Sequence, residues 1–376
     1  MQYTARLRVS RSRPVLLVLI SVSLWLSHIS AQAVLFYSTG DVNYNTTAPA
    51  GSLKDSGWQF EGLWGGFLGT PIAPKYFITA RHIGGSVGDL FVLNGVPYAT
   101  TAVFDDPDSD LRIWRICGSF PLFAPLYTET NEVDQSFVVI GRGTRRGDPV
   151  TTTNLLGTVK TNGWYWDGSL YDGVVRWGEN VVTGIANADG LLGNGLGELL
   201  QATFDADVGA NECHLSSGDS GGAVFLRDGA TWKLAGINYA VDGPYNMTDS
   251  GPGFDAAIFD AGGLYQRDAT NHWILTPDLP ISQPGSLYAT RISARSTWIN
   301  SILNGPTPGD DTPTLQSSVN VSQGYVDEIN AMVDAGSKSI TVVLSAGLQF
   351  YRLRACVPLT IESIHVQDGN LVLRYR

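Results

Sequence analysis

Short apolar runs separated by turn clusters fill the chain from Gly62 to about Leu303. Tyr76-Phe77-Ile78-Thr79, Phe137-Val138-Val139-Ile140, Gly222-Ala223-Val224-Phe225 and Trp232-Lys233-Leu234-Ala235-Gly236-Ile237 are each of strand length. Gly, Pro, Asn and Asp punctuate the chain around them, the pattern of strands joined by tight turns. Val34–Tyr37 predicts one more strand, in an otherwise extended lead-in over residues 34–60. Only Ser296–Leu303 reads as a helix, stopping at Asn304-Gly305. The 43 glycines fit this picture, because tight turns need positive φ. The expected fold class is all-β.

After that helix the pattern breaks. Asn304 to Pro313 holds three prolines, two glycines and two aspartates, a composition that cannot pack a core and reads as a linker. Beyond it Ser339–Leu344, Gln349–Arg354, Ile361–Val366 and Leu371–Tyr375 predict strands, with Gln367-Asp368-Gly369-Asn370 turning the last pair. At the other end, Arg6, Arg8, Arg11 and Arg13 precede an apolar run from about Val15 to Leu26, followed by Ala31-Gln32-Ala33. That is the layout of a secretory signal peptide, and the run is shorter than the ~20 residues of a spanning helix. The chain therefore divides into a signal peptide (1–33), a main domain (34–304), a linker (305–318) and a small β module (319–376).

Charge and cysteines narrow the classes. Loss of the four leader arginines takes the net charge from −11 to −15. So acidic a protein repels nucleic acid and anionic membrane, and neither is an expected partner. Cys117, Cys213 and Cys356 allow one disulfide and one leftover thiol, with the pairing open. No zinc spacing occurs, and neither a metal nor another cofactor is expected.

Three islands carry chemistry. Gly69-Thr70-Pro71-Ile72-Ala73-Pro74-Lys75-Tyr76-Phe77-Ile78-Thr79-Ala80-Arg81-His82 delivers a histidine at a strand end. Ser109-Asp110-Leu111-Arg112-Ile113-Trp114-Arg115-Ile116 sets an aspartate before a strand. Ser216-Ser217-Gly218-Asp219-Ser220-Gly221-Gly222 sets a serine among glycines. A serine hydroxyl attacks a carbonyl only if an imidazole takes its proton. A carboxylate then holds that imidazole's tautomer and offsets its charge, and backbone N–H groups must receive the oxyanion. Asp105, Asp106 and Asp108 crowd near Asp110, as solvated loop charges or a weak calcium loop.

The third island resembles the GDSGG loop of the trypsin/chymotrypsin family, and the other two resemble its histidine and aspartate islands. The order His, Asp, Ser matches that family. Leu234–Ile237 resembles its cleft strand, and Tyr288–Ser293 with Trp298-Ile299 its last strand and closing helix, so the likeness covers about residues 60–304. It implies two packed six-stranded antiparallel β-barrels with the site between them, plus the C-terminal module. It also implies His82 as general base, Asp110 as its orienting carboxylate, Ser220 as nucleophile, and Gly218 and Ser220 N–H groups as the oxyanion hole. The expected function is a secreted serine endopeptidase, outside the cell, at its surface or in the periplasm, acting on protein or peptide substrates.

There are departures from the family pattern. No Arg/Lys-Ile-Val-Gly-Gly activation site is found. Signal cleavage would leave Val34-Leu35 at the terminus, so the enzyme is active on export or Asp219 bonds to side chains instead. The residue six before the nucleophile, which often sets side-chain preference, is His214, and no aspartate stands there to hold Arg or Lys. With Asn238 and Val241 it makes the expected specificity pocket, His214 either reading an acidic side chain or serving structure alone. Gln349–Arg354 resembles strand ends in accessory β domains of exported bacterial proteins, which points to a bacterial source. The module is then a contact surface for a cell surface or protein, or a packing appendage. Rival readings are a catalytically silent protease-like binding or adhesion protein, and an esterase with the same acyl-enzyme.

Overall fold

A computed structural model describes residues 34–153, 157–167, 173–187, 196–305, 313–345, 347–356 and 359–376. The signal-peptide reading, and half of the linker (306–312), lie outside the described residues. Six antiparallel strands close a barrel: Gly62–Trp64, Phe67–Ala73, Tyr76–Ala80, Leu90–Leu93, Val96–Asp105 and Leu111–Ile116. Trp64, Phe77, Phe91, Trp114 and Phe120 fill it, with the Phe77 and Phe91 rings stacked 4.1 Å apart. Tyr76–Ala80 reads as an unbroken apolar run because both its faces are covered. Phe77 points into the barrel, while Tyr76, Ile78 and Ala80 join a second cluster.

That second cluster is the seam of the molecule. Leu68, Ile78 and Ile113 of the barrel meet Ile140, Phe225 and Ile237 of the other lobe there. The all-β class is as expected, and the other lobe is a seven-stranded antiparallel sheet. Its order is Arg176–Val181, Ser136–Gly141, Ala223–Asp228, Thr231–Val241, Ser286–Arg291, Glu198–Thr203 and Gly184–Asn187. The sheet curls far enough that Asn180, on its first strand, donates through Nδ2 to the Thr203 carbonyl on its sixth at 2.8 Å. A three-stranded sheet of Arg145–Thr153, Val159–Asp167 and Ala256–Ile258 completes the main domain's larger sheets.

The helix runs from Ile292 to Leu303, four residues earlier than its sequence pattern predicts, and starts with no side-chain cap. Packing replaces the cap: Ile292 and Ile299 are fully buried in the seam. Just before it, Arg291 lies bidentate on Glu132, with Nε–Oε1 at 2.9 Å and Nη2–Oε2 at 2.7 Å. Both side chains are buried, and Ser293 also donates to Glu132. Burial alone would raise the Glu132 pKa, but the Arg291 and Ser293 hydrogen bonds outweigh it and hold the carboxyl below its ordinary value.

The C-terminal sheets begin earlier than the linker reading places them. Thr314–Ser318, inside the stretch read as linker, pairs with Phe350–Arg354. A four-stranded sheet of Met332–Asp334, Ser339–Val343, Asn370–Tyr375 and Ile361–Gln367 packs on it around Leu315, Ile340, Val342, Leu371 and Leu373. The expected turn is there: Gln367 pairs with Asn370, and Asp368 and Gly369 have φ of 50° and 78°, as a type I′ hairpin requires.

Glu132→Ala strands a buried guanidinium with only the half-exposed Glu198 for company. It is expected to cost ~3–5 kcal/mol in urea unfolding, whereas Asp228→Ala, which breaks the outer Asp228–Lys233 pair, costs under about 1 kcal/mol. Because the folded pKa of Glu132 is lowered, its contribution is present at neutral pH and fades as pH falls through that pKa.

Candidate active site

Strand register brings the first two islands together. Tyr76–Ala80 pairs with Leu111–Ile116 so that Ala80 faces Leu111. The residues just outside each strand, Arg81-His82 and Asp110, are therefore neighbours. The Arg81 N–H donates to the Asp110 carbonyl at 2.6 Å, and a single 3-10 turn at Arg81–Ile83 ends the strand. Asp110 is buried and its carboxylate takes two bonds from one residue. Oδ1 accepts the His82 backbone N–H at 3.0 Å, and Oδ2 lies 2.5 Å from Nδ1 of the ring. The other ring nitrogen, Nε2, lies 2.8 Å from Ser220 Oγ. The Tyr239 ring stands edge-on to the imidazole at 5.8 Å. The structure thus gathers His82, Asp110 and Ser220 into one hydrogen-bonded chain.

Ser220 comes from the other lobe, on the loop before strand Ala223–Asp228. The loop is pinned from both sides: Asp219 N–H donates to Ser216 O, and Gly221 N–H to Asn238 O. Gly218 has φ of 98°, the left-handed region that suits glycine. Among the described residues, the N–H groups of Gly218 and Ser220 have no acceptor within the protein.

Beneath this loop lies an anionic anchor. Asp219 is buried, and its carboxylate accepts the N–H of Gly143 and of Ser216, each at 2.7 Å, and the Ser216 hydroxyl at 3.1 Å. Both oxygens also stand 3.3 Å from the backbone nitrogen of Val34. Burial pushes the Asp219 pKa up to about 6, against the lowering effect of these bonds. Val34 arrives there because Leu35–Phe36 pairs with Cys213–His214 and its side chain packs among Phe36, Cys213 and Leu215. Sequence reasoning left the partner of Asp219 open. A backbone nitrogen carries no sequence signature, and the one available hint was that Val34 follows Ala31-Gln32-Ala33.

A cavity of about 230 Å³ opens beside Ser220, walled by Trp166, Leu215, Tyr239 and Val241 with Asn238 at its side. Two of the three expected pocket residues, Asn238 and Val241, line it. His214 does not. It is fully buried, its Nδ1 donates to the Leu215 carbonyl at 2.7 Å, and its ring packs on Phe204 at 5.4 Å. Burial lowers its pKa, so at neutral pH it carries no charge to read a substrate. Asn238 Nδ2 is spent on the carbonyls of Ile140 and Asp219. Of the aspartates before Asp110, Asp105 and Asp108 are exposed charges, and Asp106 departs from that expectation. Asp106 is neither solvated nor a free oxygen ligand: it is buried, clamped by Arg295 through Nε at 2.6 Å and Nη2 at 2.5 Å. Asp105 pairs with Arg112, which with burial opposing holds its pKa below the ordinary value.

No family model matches the chain, and no curated protein is similar to it. Among solved structures it is similar to mouse neuropsin, described as a serine protease expressed in the limbic system of the brain. The two share 16% identity over 66% of this chain and 96% of that one, with a TM-score of 0.38. A likeness at this level is too weak to assign a mechanism.

The anchor is sensitive to one methyl group. A Cβ on Gly143 would lie 2.3 Å from Ser216 Oγ and 2.7 Å from the Asp219 carboxyl carbon. Gly143→Ala is expected to cost about 1–3 kcal/mol and to slow labelling of Ser220 by a fluorophosphonate. Gly209→Ala, with nothing within 4 Å of the new carbon, should change neither.

Proposed function

We propose that the chain is an exported serine endopeptidase and that residues 34–304 form the peptidase unit. The observation that carries this reading is the unbroken chain from Ser220 Oγ through His82 to Asp110, with two uncommitted backbone N–H groups beside the nucleophile. His82 Nε2 takes the Ser220 proton as Oγ attacks the substrate carbonyl. Asp110 holds Nδ1 protonated and stabilises the imidazolium that forms. The N–H groups of Gly218 and Ser220 receive the oxyanion. His82 then protonates the leaving amine, and water resolves the acyl-enzyme by the same steps in reverse. The cavity beside Ser220 offers no unspent charge, since the Asp219 carboxylate is occupied from below. The side chain preceding the scissile bond is therefore uncharged.

In purified protein a fluorophosphonate should label Ser220 alone. Ser220→Ala should lower kcat by ~10⁶ and Asp110→Asn by ~10⁴, with the far-UV spectrum unchanged. Labelling that persists in His82→Ala at the parent rate would sink the mechanism.

Release of Val34 by signal cleavage is the proposed activating event. As a peptide nitrogen, Val34 offers Asp219 a single N–H. As a terminal ammonium it offers a full countercharge to a buried carboxylate. A chain starting at Val34 should be more stable at pH 7 than one retaining Gln32-Ala33, by ~3–5 kcal/mol. The sign follows from Asp219: with its pKa at about 6 in the uncleaved form, ionisation there is penalised above that pH, and the ammonium removes the penalty. The difference should shrink as acid protonates the carboxylate. It should shrink again as the amine, near about 7.7–8.0 when unfolded, loses its proton at higher pH. Equal unfolding midpoints for the two chains at pH 7 would rule the idea out.

A further inference from the structure

Two of the three cysteines line one cavity. A cavity of about 590 Å³ separates the end of the six-stranded barrel from the C-terminal sheets, and both Cys117 and Cys356 line it. Cys117 follows the barrel strand Leu111–Ile116 directly, its N–H held by the Ala99 carbonyl at 2.7 Å. Cys356 lies two residues past strand Phe350–Arg354, and Thr314 and Arg354, partners in the same ladder, share the wall. The two residues are 239 positions apart in the chain, so folding alone brings them to a common wall. Both are partly exposed.

The third cysteine is out of reach. Cys213 is fully buried in the strand pairing beneath Val34, and its thiol lies against the Glu179 carbonyl. Apolar burial makes such a thiol inert.

We propose that Cys117 and Cys356 are joined by a disulfide in the exported protein, fastening the C-terminal module to the barrel. This rests on the proposed export, because oxidising compartments are where such bonds persist. The Cys356 thiolate attacks a disulfide oxidant such as oxidised glutathione, forms a mixed disulfide and releases one thiol. The Cys117 thiolate then displaces the second thiol from the Cys356 sulfur. One S–S bond of the oxidant is exchanged for one in the protein. The oxidant leaves as two thiols carrying two electrons and the two protons of the cysteines. A disulfide holds its Cα atoms ~4.4–6.8 Å apart, so the bond draws the loops after Ile116 and Arg354 together and closes the cavity between them. The module is then held to the barrel by a covalent bond as well as by the chain.

The test uses the full exported chain, equilibrated in a glutathione redox buffer of export-compartment poise and quenched with iodoacetamide. Peptide mass spectrometry should find the Cys117 and Cys356 peptides joined, two mass units below the sum of the thiols, and Cys213 alkylated only after denaturation. Cleavage of the 305–313 segment by an added protease should leave the two pieces as one band on a non-reducing denaturing gel, separating only with reductant. Pieces that part without reductant, or a cross-link that includes Cys213, would overturn the assignment. Fluorophosphonate labelling of Ser220, read on the same sample, reports the proposed peptidase independently. A silent Ser220 with an intact cross-link would fault that reading and leave the disulfide standing.

Discussion

A carboxylate removed from water must be repaid with hydrogen bonds or a countercharge, and Asp219 imposes that demand at the centre of this molecule. Its two oxygens collect N–H groups from Gly143, from Ser216 and from Val34. Three distant parts of the chain are thus gathered around the Ser220 loop. The loop above has little freedom left. With Asp219 fixed below, Gly218 and Ser220 on either side of it present their N–H groups together. The stability of the anchor and the placement of the Ser220 hydroxyl are one problem, because a methyl added at Gly143 would press on Ser216 and Asp219 together.

The second constraint is shared packing. His82 and Asp110 come from the barrel and Ser220 from the seven-stranded sheet, and a 2.8 Å contact joins them. Such a distance between lobes survives only if the lobes cannot slide. The cluster of Leu68, Ile78, Ile140, Phe225 and Ile237 belongs to both at once, so the seam is a continuous core. Close-packed interiors transmit small displacements. A cavity-forming change there should be felt at the site above it.

How much of this was readable beforehand depends on the range of the interaction. The strands of Tyr76–Ala80 and Ala223–Asp228 and the Asp368-Gly369 turn were legible, because each is encoded by neighbours in sequence. His82, Asp110 and Ser220 were legible as residues, since each sits in a local island, and the structure brings the three together. What escaped is what one stretch settles for another. Val34 and Asp219 are 185 positions apart and meet through a backbone atom. His214 was placed in the pocket by counting from Ser220. Pairing of Cys213-His214 with Leu35–Phe36 turns that ring into the core beside Phe204 instead. Asp106 read as a solvated loop charge or part of a weak calcium loop, and the structure gives it Arg295 as a charge partner. The seventh strand of the second lobe had no signal of its own, because Gly184–Asn187 is short and weakly apolar.

The clamp of Arg295 on Asp106 has a consequence for the order of events in synthesis. Asp106 is four residues before Asp110, and Arg81 also bonds to its carbonyl at 2.9 Å, so it braces the turn that carries the imidazole. Its guanidinium partner is made 189 residues later. A chain emerging from the ribosome holds all three islands well before it holds Arg295. Until then the Asp106 carboxylate has only the Ser109 hydroxyl and the Asp108 N–H as local donors. The closing helix therefore acts as a late latch. The turn that carries His82 gains this brace only once the helix bearing Arg295 has been made.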